Sequence, residues 1–441
     1  MYNIIKKIIK RPFVHIFNIL LRNSKYENDI SEIKQSIVEL KKTLLEEVRT
    51  NSDSVSILVK SQRIKKIKIG FLVHNIEAWR GLEPVYRAMA NDDNFHPIVF
   101  SLNRRYAGNI FRDEDKISFI LDQRGIPHVR LNDSDSFRDL ALLKFHNLNA
   151  LFRQSHWIPD LPPAFQPHYL SFTNLYYLSY EIGVMPKQGL IFRYSDYERF
   201  CSKVFLASKE IKEEMDGLHN STNVRAVVTG HPKVLEILTA APSWPLRTKN
   251  QKRIIWSSHH SIGKGWSDFG VFDKVFEDFL QLAKKRKDWD ILFSPHPALV
   301  HRLENLQDEN LKQRFEIFLK EWNLLENTAI IDMGEYLGPF QASDLLVVDG
   351  LSFLIEYQLL GKPIIQLTRE DSSDYTNFGE RVTQGVHKLP YQRISDLEKM
   401  IVYLLNNLDP LAEVQQKLKE ELTRNLDPVQ AILDEIKKDL L

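Results

Sequence analysis

The sequence predicts an α/β fold in which two doubly wound domains face each other and follow a helical N-terminal extension. Two observations predict the domains. From residue 66 onward, short apolar runs alternate with amphipathic stretches, as in a parallel sheet covered by helices on both faces. The alternation stops in the proline- and charge-rich segment 239–253 and then begins again. A third observation predicts the extension, because the first 62 residues show only helical periodicity.

The extension begins with a basic segment, residues 1–24, that we expect to associate with a membrane. Residues 1–22 contain five basic side chains and no acidic one, and the isoleucines at positions 4, 5, 8 and 9 fall on one helical face. This pattern is typical of a helix in the headgroup region of an anionic bilayer. No small-residue cleavage site follows, so a signal peptide is not predicted. The alternative is a helix that docks on its own protein or on a partner.

Residues 25–62 are predicted to form a short coiled coil followed by a linker. Isoleucine and leucine recur between residues 30 and 44 at the 3-4-3-4 spacing of a coiled-coil seam. This predicts a homo-oligomer formed through residues 30–48, or a spacer that holds the body off a surface. The seam spans only about two to three heptads, so a single amphipathic helix packed on its own chain is the alternative.

The first predicted domain, residues 66–240, is Rossmann-like. Its predicted strands are, in chain order, KIKIGFLVHN, HPIVFSLN, PHVRL, ALFRQS, HYLSFTN, KVFLAS and RAVVTG. Helical patterns lie between them, around Glu83 to Ala90, from Glu114, from Ser136 and over KEIKEEMDGL. Continuous apolar strands indicate that both faces of the sheet are buried.

The second predicted domain, residues 250–405, repeats the pattern. Its strands are predicted over KRIIWSSHHS, DILFSPHPAL, TAIIDM, DLLVVDG and PIIQL. Its helices are predicted over DFGVFDKVFEDFLQLAKKRK, from Leu303 to Leu325, over LGPFQAS and after Asp349-Gly350. Residues 406–441 are predicted to be helical and to brace the two domains.

The composition excludes several functional classes. The 59 basic and 58 acidic residues nearly cancel, which disfavours a nucleic-acid partner. The single cysteine, Cys201, excludes an internal disulfide and fits a reducing compartment. No run of 18 uncharged apolar residues exists, so no transmembrane helix is predicted. Together with the basic segment, this predicts a cytoplasmic protein that is peripheral on the inner face of the cell membrane.

Polar, cationic and glycine residues follow the predicted strands, where ligands of doubly wound sheets bind. In the second domain they are His259, His260, Lys264, His296, Asp349, Gly350 and Ser352, and in the first domain His231 and Lys233. A single histidine after a strand is more often structural. Packing alone does not require such residues at one edge of a sheet, however, so we predict a ligand site there.

The stretch DLLVVDGLSFLIEYQLLGKPIIQL, residues 344–367, has the most specific pattern. Ser352 is predicted to cap the helix that follows, whose free N–H groups and dipole favour an anion such as a phosphate. Gly350 lets the backbone approach that anion closely. Asp349 would repel it, so a hydroxyl-binding or helix-orienting role is expected. The structural alternative is a strand, a tight turn and a capped helix.

Four segments of the sequence occur in this order: GHPK, RIIWSSHHS, SPHP and DLLVVDGLSFLIEYQLLGKPII. Together they resemble the CDP-glycerol glycerophosphotransferase family of teichoic-acid-type polymerases and primases. The resemblance covers residues 225–370 and implies a GT-B fold, with an N-terminal acceptor domain and a C-terminal nucleotide-donor domain. It also implies a nucleotide-diphosphate-activated donor and a polysaccharide or lipid-linked acceptor. His296 and the Ser352 helix end would then hold the donor pyrophosphate, bordered by residues 231–233 and 259–265.

The sequence departs from the family at the expected general base. The family carries a His-Gly-x-Pro segment in the first domain, whose histidine is thought to act on the acceptor hydroxyl. The corresponding stretch here, Ser171 to Pro186, contains no histidine. Glu181 is the candidate base within it, and His74, just past the first strand, is the reserve candidate.

Other classes fit the sequence less well. None of His231, His259, His260 and His296 belongs to an H-x-H, H-x-x-x-D or HExxH run that would tie two metal ligands to one element, which disfavours a metal hydrolase. Two Asp-x-Asp pairs, at 133–135 and 288–290, match a metal-dependent transferase only formally, and no G-x-G-x-x-G follows a first strand. We therefore expect neither a metal nor a cofactor. A catalytically inactive, membrane-associated scaffold is the alternative from a non-enzymatic class.

Overall fold

The computed structural model describes residues 35–39, 41–43, 66–106, 110–189, 197–218, 225–250, 252–263, 268–304, 308–331, 335–425 and 427–441. The chain divides into two units, residues 1–62 and residues 63–441. In the first unit, residues 35–39 and 41–43 are helical. The predicted membrane segment and the rest of the predicted coiled coil lie outside the described residues. Within the described ranges, no helix is long and apolar enough to cross a membrane.

The first domain is built on a seven-stranded parallel sheet with the strand order β5-β2-β1-β6-β7-β8-β9. Its strands are β1 (Ile67–Val73), β2 (Phe95–Leu102), β5 (His128–Leu131), β6 (Ala150–Arg153), β7 (Asn174–Leu178), β8 (Lys203–Leu206) and β9 (Arg225–Val228), and β3 (Arg104–Tyr106) and β4 (Ile110–Arg112) form a separate hairpin. Its helices are α1 (Ile76–Trp79), α2 (Glu83–Ala90), α3 (Glu114–Gln123), α4 (Ser136–Phe145), α5 (Lys209–Leu218) and α6 (Pro232–Thr239).

The second domain is built on a six-stranded parallel sheet with the strand order β12-β11-β10-β13-β14-β15. Its strands are β10 (Lys252–Ser258), β11 (Trp289–Pro295), β12 (Thr328–Ile330), β13 (Leu345–Val348), β14 (Ile364–Thr368) and β15 (His387–Pro390). Its helices are α7 (Phe272–Lys285), α8 (Pro297–Glu304), α9 (Glu309–Leu324), α10 (Leu337–Ala342), α11 (Ser352–Gln358), α12 (Asn377–Thr383) and α13 (Leu397–Asn406). The predicted fold class, two doubly wound α/β domains, is confirmed.

Burial of both faces explains why the strands are continuously apolar. Every residue of β6, β11 and β13 is buried, as expected for strands between two layers of helices. In the first domain, Phe71 of β1 pairs in register with Phe152 of β6, and their rings stack 5.2 Å apart. In the second domain, Trp256 of β10 stacks on Phe279 of α7 with ring centroids 3.9 Å apart. These aromatic layers fix the strand ends that form the cleft described below.

The C-terminal helices α14 (Ala412–Leu422) and α15 (Pro428–Leu440) contact both domains. Helix α14 packs on α11 of the second domain, and α15 packs on α2 of the first. Lys203 in β8, which is almost fully buried, places its ammonium 2.9 Å from Asp439 and 3.1 Å from Glu435 of α15. Since a buried charge needs a partner, these two acids hold the last helix on the first sheet.

The two domains also meet at a short backbone contact. The Thr376 N–H donates to the Met185 carbonyl at 2.7 Å, and the Lys187 N–H donates to the Asp374 carbonyl at 3.0 Å. A Cβ at Gly379 would lie 2.6 Å from the Met185 carbonyl oxygen, so only glycine allows this approach. One apolar core cluster contains side chains of both domains and continues across this contact.

One predicted strand is wrong in detail, and some observed strands were not predicted. The strand predicted over HYLSFTN starts later, because residues Pro167–Leu170 form a 3-10 turn and β7 begins at Asn174. The β3–β4 hairpin, whose strands are only three residues long, and the edge strand β15 were not predicted.

Candidate functional site

A cleft of about 470 Å³ lies between the carboxyl ends of the two sheets. In each sheet the strand order reverses at one point, between β1 and β6 in the first and between β10 and β13 in the second. Ligands of doubly wound sheets bind at this switch point. The cleft is lined by residues that follow these four strands, namely His74, Asn75, Ser155, His156, His259, His260, Gly350 and Ser352. Both switch points therefore open into one space.

Most of the predicted site residues line this cleft. They are His74, Glu181, His259, His260, His296, Gly350 and Ser352. The side chains of His231, Lys233 and Asp349 do not line it and make the contacts described below. Lys264 lies outside the described residues.

Three histidines form the second-domain wall of the cleft. The ring of His260 lies between the other two, 4.1 Å from His259 and 4.6 Å from His296 between centroids. Burial lowers the pKa of His259 well below its ordinary value, that of His260 to about 4 and that of His296 to about 3. The three rings are therefore uncharged at neutral pH.

Backbone hydrogen bonds fix which nitrogen carries the proton in two of these rings. Nδ1 of His296 accepts the Ala298 N–H at 3.1 Å, and Nδ1 of His259 accepts the Ser261 N–H at 3.2 Å. A neutral imidazole that accepts at Nδ1 carries its proton on Nε2. Both rings line the cleft, so each brings a neutral Nε2–H donor to this wall. The sequence suggested cationic groups here, whereas burial makes these histidines neutral donors.

Asp349 holds the loop that carries His259. Its carboxylate is buried, with 2% of its surface exposed, and accepts the His259 N–H at 2.5 Å and the Val271 N–H at 2.7 Å. Burial raises the pKa of Asp349 to about 7, although the two N–H donors oppose the shift. The carboxylate joins the end of β10 to the start of α7, and it does not line the cleft.

The helix after Asp349 begins without the predicted side-chain cap. Helix α11 starts at Ser352 itself, and Leu351 occupies the N-cap position without a side-chain hydrogen bond. The predicted capping role of Ser352 is wrong, because the helix starts one residue earlier than a Ser352 cap requires. Ser352 instead lines the cleft from the first turn, beside the backbone of Gly350.

Lys233 joins the two domains, whereas His231 makes its hydrogen bonds within the first domain. His231 is buried before α6, and its Nε2 donates to the Ser179 carbonyl at 2.8 Å while its Nδ1 accepts the Lys233 N–H at 3.1 Å. The Lys233 ammonium lies 2.5 Å from the buried carboxylate of Glu356 in α11. Tyr336 donates to the other oxygen of that carboxylate at 2.6 Å. This network connects α6 of the first domain to α10 and α11 of the second.

Lys362, in the Gly-Lys-Pro part of the motif, has a structural role. Its ammonium donates to three backbone carbonyls, those of Phe340 at 2.9 Å, Gln341 at 2.7 Å and Ser343 at 2.7 Å. These carbonyls belong to the last turn of α10, where a cation is favourable. The lysine therefore holds α10 against the start of β14.

The first-domain wall contains residues that the sequence analysis missed. They are Asn75, Ser155, His156, Trp157 and Asp160. Nε2 of His74 lies 3.8 Å from the Asp160 carboxylate, which also accepts the Ser155 hydroxyl at 2.6 Å. The sequence QSHW directly follows the apolar run of β6, so the strand-end criterion that found the second-domain histidines also applied here.

The Asp-x-Asp pairs lie in structural positions. Asp135 caps α4 by accepting the Phe137 N–H at 3.0 Å. Asp290 is buried in β11 and accepts the Trp244 indole N–H at 2.9 Å. Among the residues that the structure describes, no group of three or more His, Cys, Asp or Glu side chains is arranged to hold a metal ion.

Comparisons with known proteins give a fold but no family. No protein-family model matches this sequence, and no curated protein matches it. Several solved structures are similar. S. aureus MnaA, in a co-structure with UDP, aligns with a TM-score of 0.57 at 12% identity over 85% of this chain and 98% of that chain. The UDP-GlcNAc 2-epimerase from Neisseria meningitidis, bound to UDP-GlcNAc, aligns with a TM-score of 0.54 at 13% identity over 84% of this chain and 100% of that chain.

A teichoic acid enzyme is also similar in fold. A variant of the wall teichoic acid polymerase TagF aligns with a TM-score of 0.50 at 15% identity over 93% of this chain and 98% of that chain. At these identities the likeness shows the fold alone. It confirms the GT-B arrangement that the motif resemblance implied, with the cleft between the two domains.

Proposed function

We propose that this protein is a transferase that uses a nucleotide-diphosphate-activated donor. It moves a glycerol-phosphate unit, or a related polyol-phosphate or sugar unit, to a hydroxyl group of a polysaccharide or lipid-linked acceptor of the cell envelope. The observation that carries this proposal is the second-domain wall, where neutral imidazole N–H donors meet the first turn of α11 at a switch point.

The wall is suited to a diphosphate. The Nε2–H groups of His259 and His296 can donate hydrogen bonds while their rings are uncharged. A bound phosphate favours protonation of these rings. Developing negative charge on the leaving nucleotide is then stabilised by preorganised donors. Two solved structures of the same fold contain UDP or UDP-GlcNAc, and TagF has been soaked with CDPG, which supports a nucleotide-activated donor.

The first-domain wall is suited to the acceptor. Glu181 and His74 both line the cleft with the three histidines, which supports either of them as the group that accepts the proton of an attacking hydroxyl. A nucleotide sugar is the second candidate donor, since the same histidine wall serves the diphosphate of either donor class.

Donor binding is tested by calorimetric titration of the full chain against CDP-glycerol, CDP-ribitol, CDP, UDP and UDP-GlcNAc. We expect at least one of them to bind, and Ser352→Ala to weaken that binding while leaving the melting temperature within about 2 °C, because a hydroxyl in the first helical turn contributes little to folding. An exposed serine, Ser134→Ala, is the matched control. No binding to any member would overturn the proposal.

We also propose that residues 1–22 hold the enzyme at the inner face of the cell membrane, where lipid-linked acceptors are found. The basic and apolar pattern of this segment supports the proposal. Deleting residues 1–22 should move the protein from vesicles containing anionic lipid to the supernatant in a sedimentation assay. Unchanged sedimentation with the same vesicles would contradict this location.

A further inference from the structure

The carboxylates that line the cleft lie on one side of it. Among the described residues that line the cleft, Asp160 and Glu181 are the ones with a carboxylate, and both belong to the first domain. Asp160 ends the 3-10 turn Ile158–Asp160 after β6, and Glu181 lies just past β7. The second-domain wall contributes neutral histidines and serines instead. Because like charges repel, a diphosphate is favoured on the second-domain wall and an uncharged group on the first.

The Asp160 carboxylate is charged and partly exposed. Its side chain is 41% exposed, and it accepts the Ser155 hydroxyl at 2.6 Å. Burial raises the pKa of Asp160, but His74, Ser155 and Arg153 together lower the pKa by more, so the net shift is downward. A carboxylate has about four sites that accept hydrogen bonds. Asp160 can therefore accept hydrogen bonds from the hydroxyl groups of a ligand in addition to that from Ser155.

Trp157 adds an aromatic side chain to the same wall. It lines the cleft, is half-buried and directly precedes the turn that ends at Asp160. The Tyr180 hydroxyl is hydrogen-bonded to the Trp157 indole and to the Glu181 carboxylate. The Trp157 N–H donates to the Ser155 hydroxyl oxygen at 3.1 Å. These bonds connect the turn after β6 to the turn after β7, so the indole is held in place before a ligand binds.

An indole and two carboxylates on one wall are suited to a sugar ring. One face of a pyranose consists of C–H groups, and an aromatic ring can bury such an apolar face while its own polar edge stays hydrogen-bonded. The hydroxyl groups around the pyranose donate to carboxylates, which only accept. A linear polyol phosphate lacks the apolar face and carries a charge that the carboxylates repel. The chemistry of this wall therefore favours an uncharged sugar.

On the basis of the proposed function, we propose that the first-domain wall is the acceptor subsite and that the acceptor ends in an uncharged sugar ring. Trp157 stacks on the apolar face of this ring. Asp160 and Glu181 accept hydrogen bonds from its hydroxyl groups. The donor diphosphate binds to the second-domain wall, where no carboxylate of the described residues lines the cleft.

The subsite is tested without a nucleotide, by fluorine NMR of the full chain labelled with 5-fluorotryptophan. The probes are the methyl glycosides of glucose, galactose and mannose and of the corresponding N-acetylhexosamines. At least one of them should shift the Trp157 resonance, which is assigned as the one missing from Trp157→Phe, with a Kd of about 1 mM as expected for so small a ligand. The half-buried Trp244 does not line the cleft and is the internal control, so its resonance should not move.

Glycerol 3-phosphate is the charged, linear comparison in the same titration. It should shift the Trp157 resonance less than the glycoside that binds best, because the carboxylates repel it and it has no ring to stack. A larger shift with glycerol 3-phosphate than with every glycoside would overturn the proposal. So would the absence of a Trp157 shift with all six glycosides, or equal shifts of Trp157 and Trp244.

A second measurement needs no substitution of Trp157. In calorimetric titration with the same glycoside, Glu181→Gln should raise the Kd about fivefold or more, because a charged acceptor is replaced by a neutral one of the same shape. Glu213→Gln, at an exposed position of α5, is the matched control and should leave the Kd unchanged. An unchanged Kd in Glu181→Gln would contradict the subsite.

The outcomes separate this subsite from the proposed donor site. If a glycoside shifts the Trp157 resonance while no nucleotide binds, the proposed donor fails and the sugar subsite stands. If a nucleotide binds while no glycoside shifts that resonance, the donor site stands and the sugar subsite is overturned.

Discussion

Two His-Pro dipeptides, His231-Pro232 and His296-Pro297, share a local structure and differ in what they do. Each histidine precedes a helix that begins with proline, and in each the Nδ1 atom accepts the backbone N–H two residues later at 3.1 Å. That bond fixes the proton on Nε2 in both rings. The two segments differ in the surroundings of the Nε2 atom.

Nε2 of His231 donates to the Ser179 carbonyl inside the protein, whereas His296 lines the cleft beside His260. The sequence motif therefore sets the tautomer, and the tertiary contact decides whether the remaining N–H stabilises the fold or faces a ligand. The polar residues predicted at strand ends divide in the same way, into those that bond to groups inside the protein and those that line the cleft and are candidates for binding.

The largest expected effect is on the structural side, at Lys233. Lys233→Met leaves the Glu356 carboxylate buried without its cation and should lower the free energy of unfolding by about 3–5 kcal/mol. The double variant Lys233→Met with Glu356→Gln should recover most of that loss, because no charge is left buried. Urea unfolding of both variants measures the difference. A loss below about 1 kcal/mol for the single variant would mean that the ion pair does not hold the domains together.

A smaller effect is expected on the cleft side, from the low pKa of His296. Between about pH 6.5 and the folded value of about 3, the unfolded chain binds a proton that the folded ring excludes, so stability falls as the pH falls. At pH 5 this amounts to about 2 kcal/mol. In urea unfolding at pH 7.5 and pH 5, His296→Asn should lose about 2 kcal/mol less than the wild type.

The exposed His168→Asn is the control for that experiment and should lose as much stability between the two pH values as the wild type. An equal loss in His296→Asn would show that this ring is not excluded from protonation. Adding a donor should reduce the stability that the wild type loses between pH 7.5 and pH 5, because a bound anion favours protonation of the ring.

Strand ends and apolar runs were predictable because they depend on local sequence. The alternation of runs predicted both doubly wound domains, and the residues just past the strands include six that line the cleft, His74, His259, His260, His296, Gly350 and Ser352. Asp160 was not found, because it lies in a 3-10 turn without periodicity and meets His74 only through the order of strands in the sheet.

The sequence also did not predict the role of residues that bind a distant backbone group. The carboxylate of Asp349 faces two N–H groups, one of them 78 positions away, rather than the cleft. Lys362 donates to carbonyls at the end of α10 from the turn before β14. Asp349 follows β13 as predicted and Lys362 precedes β14, and in both cases the packing of a neighbouring element determines which groups the charge contacts.

The central claim is that Nε2–H of His296 binds the donor, whereas Nε2–H of His231 stabilises the fold. Asparagine at either position keeps an acceptor for the helix N-terminus and removes only Nε2–H, so His296→Asn and His231→Asn are a matched pair. Both are measured by donor titration, with the panel member that binds most tightly, and by thermal unfolding.

We predict that His296→Asn weakens donor binding by about tenfold or more, because a hydrogen bond to a charged phosphate is lost, and leaves the melting temperature within about 2 °C. His231→Asn should lower the melting temperature by several degrees, because the buried Ser179 carbonyl loses its donor, and should leave donor affinity within about threefold. Equal effects on affinity in the two variants, or unchanged affinity in His296→Asn, would contradict the claim.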